Sequence, residues 1–302
     1  MNAVAERRYI QFSFPDGLRD PRDLKAAAAI KDPEEREKID KVPKKLLVLP
    51  NIINAKDSTG IFLELIHSLM NHPSGNKLKG KKVLQIGVNH GAITTQLLRS
   101  GVKELEILDV DSQAIKNMYL NLEEESQAVK DKLVLARLSN LDSALSEDPD
   151  PEMSGKRFDY VFFNHPIKRE TGDTNNSAGD TFELPIEYYR GVLPRRLEPG
   201  GTAYGLSVEP FDTNNYDPFS IDDNQENLWD IHNALDAIES NPSQKDWVLE
   251  RTIYRSQYAP QETPGWDYNI VKVRRPAINE NLNMTPNSLR ETKIKSLHEQ
   301  VK

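Results

Sequence analysis

From Leu46 onward, short apolar runs alternate with stretches in which apolar residues recur at helical spacing. LLVLP is a β-like run, and 59–70 places Phe62, Leu65, Ile66 and Leu69 on one helix face. KVLQI (82–86) reads as a buried strand cut off by Gly87, and Ile93, Leu97 and Leu98 mark a helix that stops at Gly101. The pattern repeats with a second strand at 104–108 and a helix carrying Ile115, Met118, Tyr119 and Leu122. A third strand falls at 133–138, a fourth at 160–163 and a fifth at 202–206, the last preceded by a helical stretch from Pro185 that Pro194 kinks or splits. Alternation of this kind predicts parallel βαβ units with right-handed crossovers and helices on both faces of an α/β sheet. After the fifth strand, 209–223 is irregular and the chain is then helical to about Ser240, so that roughly 209–246 reads as an insertion. Two further β-runs, 247–256 and 268–274, joined by a Pro- and Gly-containing loop, predict an antiparallel edge hairpin and about seven strands in all. The expected organisation is an N-terminal extension (1–45, partly helical), a main domain (46–275) and a C-terminal tail (276–302), solvated as a helix or frayed.

Composition narrows the function. Of 302 residues, 37% are hydrophobic, and mean hydropathy is −0.65, polar enough to require tails or long loops outside a single core. Lys plus Arg number 39 against 47 Asp plus Glu, a formal charge of −8, which disfavours a generic nucleic-acid binder. The absence of cysteine excludes disulfides, thiolate zinc sites, iron–sulfur ligation and Cys nucleophiles. MNAVAERRYIQFSFPDG has no apolar core of a signal peptide, and nowhere do about 18 apolar residues run together, so a soluble cytoplasmic protein away from membranes is expected. No His and carboxylate spacing has a metal-site pattern, and no G-x-S-x-G elbow is present.

The stretch LQIGVNHGAITT (84–95) lies where a strand meets a helix, with Gly87 and Gly91 four apart. Glycine there permits a tight turn of positive φ and lets a ligand approach the bare backbone at a helix N-terminus. Asp109 ends the second strand 22 positions after Gly87, close to the ~20 at which an acid reaches ribose hydroxyls in a doubly wound fold. Together these features imply a nucleoside-bearing cofactor. A dinucleotide fingerprint needs small residues at its first, third and sixth positions, here Gly87, Asn89 and Ala92. The third is not small, which favours a cofactor lacking phosphates, such as S-adenosylmethionine, with a nicotinamide dinucleotide as the alternative.

The ordered set LQIGVNHGAITT, EILDVD, FDYVFFNHPIK and RRLEPGGTAYG resembles the successive motifs of class I S-adenosylmethionine-dependent methyltransferases, over roughly 46–206. The upstream VLPNIINAKDSTGIFLELI resembles the approach segment of the glutamine- and adenine-directed amino-methyltransferases. The resemblance implies a Rossmann-like three-layer sandwich and S-adenosyl-L-methionine as cofactor. It places Thr59 near that cofactor, Gly87, Asn89 and Gly91 around its methionine and ribose, Asp109 and Val110 at the ribose side, Asn140 at the adenine, and Asn164 also against the cofactor. Gln85 would lie by the methionine end, where the family usually has a carboxylate.

Asn164, His165 and Pro166 resemble the Asn-Pro-Pro-aromatic motif of that subgroup, with His165 in place of the first proline and Ile167 in place of the aromatic. The resemblance implies that the Asn164 side chain and the His165 carbonyl accept the N–H groups of a planar acceptor beside the cofactor, favouring charge that develops on nitrogen. Pro166 biases His165 to an extended backbone. Ile167 cannot stack on a planar base, which points away from adenine in nucleic acid. Tyr188 could supply an aromatic wall or belong to the core, Asp180 and Glu183 could bind an amino or guanidino group, and His165 could take a proton from the acceptor. His90 is expected to be a solvent-facing loop residue. The expectation is N-methylation of a small-molecule or peptide-like acceptor, with no nucleic-acid partner and no metal; nothing in the sequence speaks to oligomeric state. The alternatives are a protein glutamine or other macromolecular amino-group methyltransferase, a nicotinamide-dependent oxidoreductase, and a catalytically silent methyltransferase-like binding module.

Overall fold

The computed structural model describes residues 8–12, 44–48, 56–123, 125–138, 156–164, 167–168, 182–183, 188–211, 244, 246–255, 265–278 and 289–296. In chain order the elements are β1 (Arg8–Phe12), β2 (Lys44–Val48), α1 (Lys56–Met70), β3 (Lys82–Ile86), α2 (Ala92–Arg99), β4 (Glu104–Asp109), α3 (Ser112–Leu122), α4 (Gln127–Lys130) and β5 (Leu133–Leu138). They continue with β6 (Phe158–Phe163), the two-residue strands β7 (Ile167–Lys168) and β8 (Phe182–Glu183), a π-helical turn (Tyr188–Val192) running into α5 (Leu193–Arg196), then β9 (Leu197–Phe211), β10 (Val248–Arg255), β11 (Gly265–Arg274) and β12 (Leu289–Ser296). The chain divides into two compact units, Met1–Lys81 with Gly87–Leu138, and Lys82–Ile86 with Ser139–Lys302.

In the first unit, β4 and β5 pair in parallel, and β1 pairs antiparallel with β2. The expected partly helical extension thus contains a strand at Arg8–Phe12 among its described residues. Helix α1 buries Phe62 and Ile66, and α2 buries Ile93, Leu97 and Leu98, the faces that the periodicity predicts. The end of α2 is set by Gly101, at φ 89, the left-handed conformation that stops a helix. Asp111 caps α3, its Oδ1 accepting the Gln113 N–H at 2.8 Å. Arg99, in the last turn of α2, is paired with the buried Glu125, Nε to Oε2 at 3.0 Å.

In the second unit the strand order is β12-β10-β11-β9-β6-β3. Strand β6 lies parallel between β3 and β9, and Val83, Leu84, Phe158, Val161 and Phe162 are fully buried, as strands covered on both faces require. Tyr160, Phe162 and Tyr204 form a stack with ring centroids 6.2 and 5.5 Å apart. Strand β9 turns the sheet antiparallel, pairing with β11 from Thr202↔Arg274 to Phe211↔Gly265, and β11 pairs antiparallel with β10. Before β9, Pro194 falls within the first turn of α5 and the π turn precedes it, the split expected there.

The chain is therefore an α/β, Rossmann-like protein, mostly parallel with an antiparallel edge. All seven expected strands are present, β3, β4, β5, β6, β9, β10 and β11. Two expectations are corrected. Strand β9 runs on to Phe211, into residues expected to be irregular, because β11 supplies backbone partners from Thr202 to Phe211. Residues 289–296, expected as helix or frayed tail, form β12, parallel to β10. The remainder of the expected insertion, 212–243, lies outside the described residues.

Candidate functional site

In the first unit, the chain leaves β3 through a loop that is tied down at nearly every residue. Gly87, at φ 81, donates its N–H to the Leu108 carbonyl at 2.8 Å. The Val88 N–H donates to Asp109 Oδ2 at 2.6 Å, and Asp109 Oδ1 accepts from the Asp111 N–H at 2.8 Å. Asp109 thus holds the loop to the end of β4 by backbone donors, while each carboxylate oxygen keeps a lone pair for a further donor such as a sugar hydroxyl. The turn closes through Gly91 N–H to the Val88 carbonyl at 3.0 Å, with Asn89 at φ 53. Gly91, at φ 84, starts α2, and a Cβ there would lie 2.8 Å from the Met118 Cα, so both conformation and close helix packing demand glycine. Val110, next to Asp109, is 60% exposed, an uncovered apolar side chain beside the acid.

His90 corrects an expectation, since it is buried rather than facing solvent. Its Nε2 lies 3.4 Å from Thr59 Oγ1 on α1, and its carbonyl accepts from Asn117 Nδ2 at 3.2 Å and Asn121 Nδ2 at 2.8 Å on α3. Burial lowers the imidazole pKa to about 4, so the ring is neutral at physiological pH. Thr59, which the resemblance puts near the cofactor, is fully buried in this contact. Asn117 and Asn121 were missed. Their signal was two amides four residues apart on a helix, a spacing that puts both on one face. They occupy the buried side of α3, leaving Tyr119, expected on the apolar face, 49% exposed.

In the second unit, Gln85 is fully buried on β3. Asn164 follows β6 and donates its backbone N–H to the Ile86 carbonyl at 2.9 Å. Its side chain is 4% exposed, and neither Oδ1 nor Nδ2 has a hydrogen-bond partner. Two unpaired amide atoms in one buried side chain are rare in folded proteins. Ile167 on β7 and Glu183 on β8 stand opposite each other in an antiparallel pair. Tyr188 is 1% exposed, its ring 4.9 Å from Phe163 and 5.2 Å from Tyr189, in a core-like environment. Its hydroxyl has no partner, and burial raises its pKa. Asn140, His165, Pro166 and Asp180 lie outside the described residues.

No protein-family model and no curated protein matches the chain. Among solved structures it is similar to the T. thermophilus 16S rRNA methyltransferase RsmC in complex with AdoMet and guanosine, at 17% identity over 78% of this chain and 48% of that one, TM-score 0.44. It is also similar to the O-methyltransferase TomG of Streptomyces achromogenes with SAM, at 14% identity over 86% and 92% of the two chains, TM-score 0.43. A third is the O-methyltransferase from Bacillus cereus with SAH, at 16% identity over 84% and 89%, TM-score 0.40. The chain spans about half the length of the first of these.

Proposed function

We propose that the protein is an S-adenosylmethionine-dependent methyltransferase that methylates a nitrogen of a small-molecule or peptide-like acceptor. The observation that carries this reading is the loop from Gly87 to Gly91, turned by left-handed residues and closed on the carboxylate of Asp109. Gly87, Asn89 and Gly91 would border the methionine and ribose, Asp109 would accept the ribose hydroxyls, and the exposed Val110 would be covered by the adenine. When bound, the cofactor supplies an electrophilic methyl carbon on a sulfonium.

The chain's own part is to prepare the nucleophile. An amide or amino nitrogen is weak because its lone pair is delocalised, and its N–H bonds acidify as it attacks. Asn164 Oδ1, buried and unpaired, would accept one of those N–H groups and stabilise the developing positive charge in a site shielded from water. Asn164 Nδ2 would donate to a carbonyl or ring nitrogen of the same acceptor, so the favoured acceptor presents a donor and an acceptor side by side. Among the described residues no group of three His or carboxylate side chains is placed to hold a metal.

The test has two arms. Thermal shift and calorimetry with S-adenosylmethionine, S-adenosylhomocysteine and nicotinamide dinucleotides should show stabilisation by the first two alone, about 2.7 kcal/mol at a hundred times Kd. Transfer of labelled methyl into a panel of amide, amine and hydroxyl acceptors should favour the nitrogen compounds, and stabilisation by a nicotinamide dinucleotide instead would overturn the assignment.

A further inference from the structure

Two cations of the second unit converge on one pair of oxygens. Arg157 Nη1 donates to the carbonyls of Pro194 and Leu197 at 3.1 Å each, and Arg275 Nη1 donates to the same two at 3.3 and 2.8 Å. The strand order brings them together, since β9 lies between β6 and β11, Arg157 immediately precedes β6, and Arg275 immediately follows β11. Backbone bonds fix the second arm: Arg275 donates its N–H to the Gly201 carbonyl at 3.0 Å, and its own carbonyl accepts from the Gly200 N–H at 3.0 Å. The ring of Trp247, itself buried, lies 5.7 Å from the Arg275 guanidinium and covers one of its faces.

One cation would suffice to answer two orphaned carbonyls at the end of a short helix. A second guanidinium at the same place adds like-charge repulsion, and burial followed by the charge of Arg157 lowers the Arg275 pKa, with Glu198 opposing. Among the described residues neither arginine forms an ion pair, and each commits only its Nη1. Nε and Nη2, the edge that grips an oxyanion with two parallel bonds, stay uncommitted on both, and both residues are half-buried. A carboxylate has oxygens for one such edge, whereas a tetrahedral oxyanion has oxygens for two. We propose that Arg157 and Arg275 form a clamp for a single phosphate-type oxyanion, either free phosphate or the phosphate group of a small molecule. The clamp is separate from the acceptor site, because Arg157 and Asn164 flank opposite ends of β6, roughly 20 Å apart at the rise of an extended strand. One clamp holds one phosphate, far short of the run of contacts that RNA requires.

Calorimetry on the full chain, with inorganic phosphate replacing chloride at constant ionic strength, should find one saturable site. Arg157→Gln and Arg275→Gln keep an amide N–H for the carbonyls but lose the fork and the charge, so each should weaken phosphate by about ten-fold or more, as for bonds between charged groups. Arg157→Lys and Arg275→Lys, which keep the charge without the fork, should fall between wild type and the glutamine variants. In the unmutated chain, the ¹⁵N-labelled Nε–Hε resonances of Arg157 and Arg275 should move together with the calorimetric midpoint, a readout that does not depend on the variants folding. Glycerol 3-phosphate should compete for the same site; tighter binding than that of inorganic phosphate identifies a phosphorylated small molecule as the occupant, and weaker binding identifies free phosphate. Absence of saturable binding, binding that both glutamine variants leave unchanged, or resonance shifts confined to other arginines overturns the clamp.

Discussion

His90 shows how a single buried side chain couples loop order to pH. Its pKa falls from an ordinary 6.5 to about 4 because burial disfavours the imidazolium. The unfolded chain then binds the proton more tightly than the folded one between those values, so the neutral ring contributes stability that is complete above pH 6.5 and is lost as pH falls toward 4. The lost contribution amounts to about 3 kcal/mol. Urea unfolding at intervals from pH 7 to pH 4 should therefore show a steeper loss for wild type than for His90→Gln, whose side chain has no proton to gain. Parallel pH profiles would contradict the burial of the ring. Asn164 makes the opposite prediction about stability. Both of its amide atoms are buried and unpaired, so Asn164→Leu, similar in size and apolar, should raise the unfolding free energy by about 1–3 kcal/mol while abolishing the proposed methyl transfer. A destabilised Asn164→Leu would mean that the amide serves the fold.

At the scale of the element, the junction between the loop and α2 depends on contact with α3. Gly91→Ala meets two costs at once, the left-handed conformation at φ 84 and a Cβ 2.8 Å from the Met118 backbone. Gly101→Ala, at φ 89 with its nearest neighbour 3.6 Å away, meets only the first. Chemical denaturation should give a loss of about 1–2 kcal/mol for Gly101→Ala and at least 1 kcal/mol more for Gly91→Ala. Equal losses would show that α2 and α3 can separate at low cost. These elements were legible in the sequence because a helix face or a fully buried strand writes its period in Ile, Leu, Val and Phe, as in α1, α2 and β3. Gly87 and Gly91 were legible as a turn for the same local reason. Strand β12 was not, because LRETKIKS at the end of a strand order can carry charge and still pair through its backbone, and such a segment reads as a tail. The tie between His90 and the two asparagines of α3 was hidden differently. Its residues are 27 and 31 positions apart, and a polar side chain on a buried face has no period until its partner is known.

For the whole molecule, the distribution of charge bears on the size of the acceptor. The net charge of −8 opposes a polyphosphate at long range, so an RNA acceptor would need a local cluster of free cations. Arg157 and Arg275 come together in the second unit, but both donate Nη1 to the carbonyls of Pro194 and Leu197, at 2.8 to 3.3 Å. These two guanidiniums answer the exposed carbonyl end of α5 and the start of β9, the role cations commonly take at a helix C-terminus. Burial, and after it the neighbouring Arg157, lower the Arg275 pKa, with Glu198 opposing. Structured RNA titrated into the protein should therefore bind no more tightly than about 10⁻⁴ M at physiological salt, the weak end of non-specific association. A Kd in the nanomolar range whose logarithm climbs steeply with the logarithm of salt concentration would reverse the conclusion, because released counterions can come only from a cationic surface that recognises phosphate. In that event the two unpaired amide atoms of Asn164 would still favour a nitrogen flanked by a hydrogen-bond acceptor, and a nucleobase edge would replace the proposed small-molecule or peptide-like acceptor as the group that satisfies them.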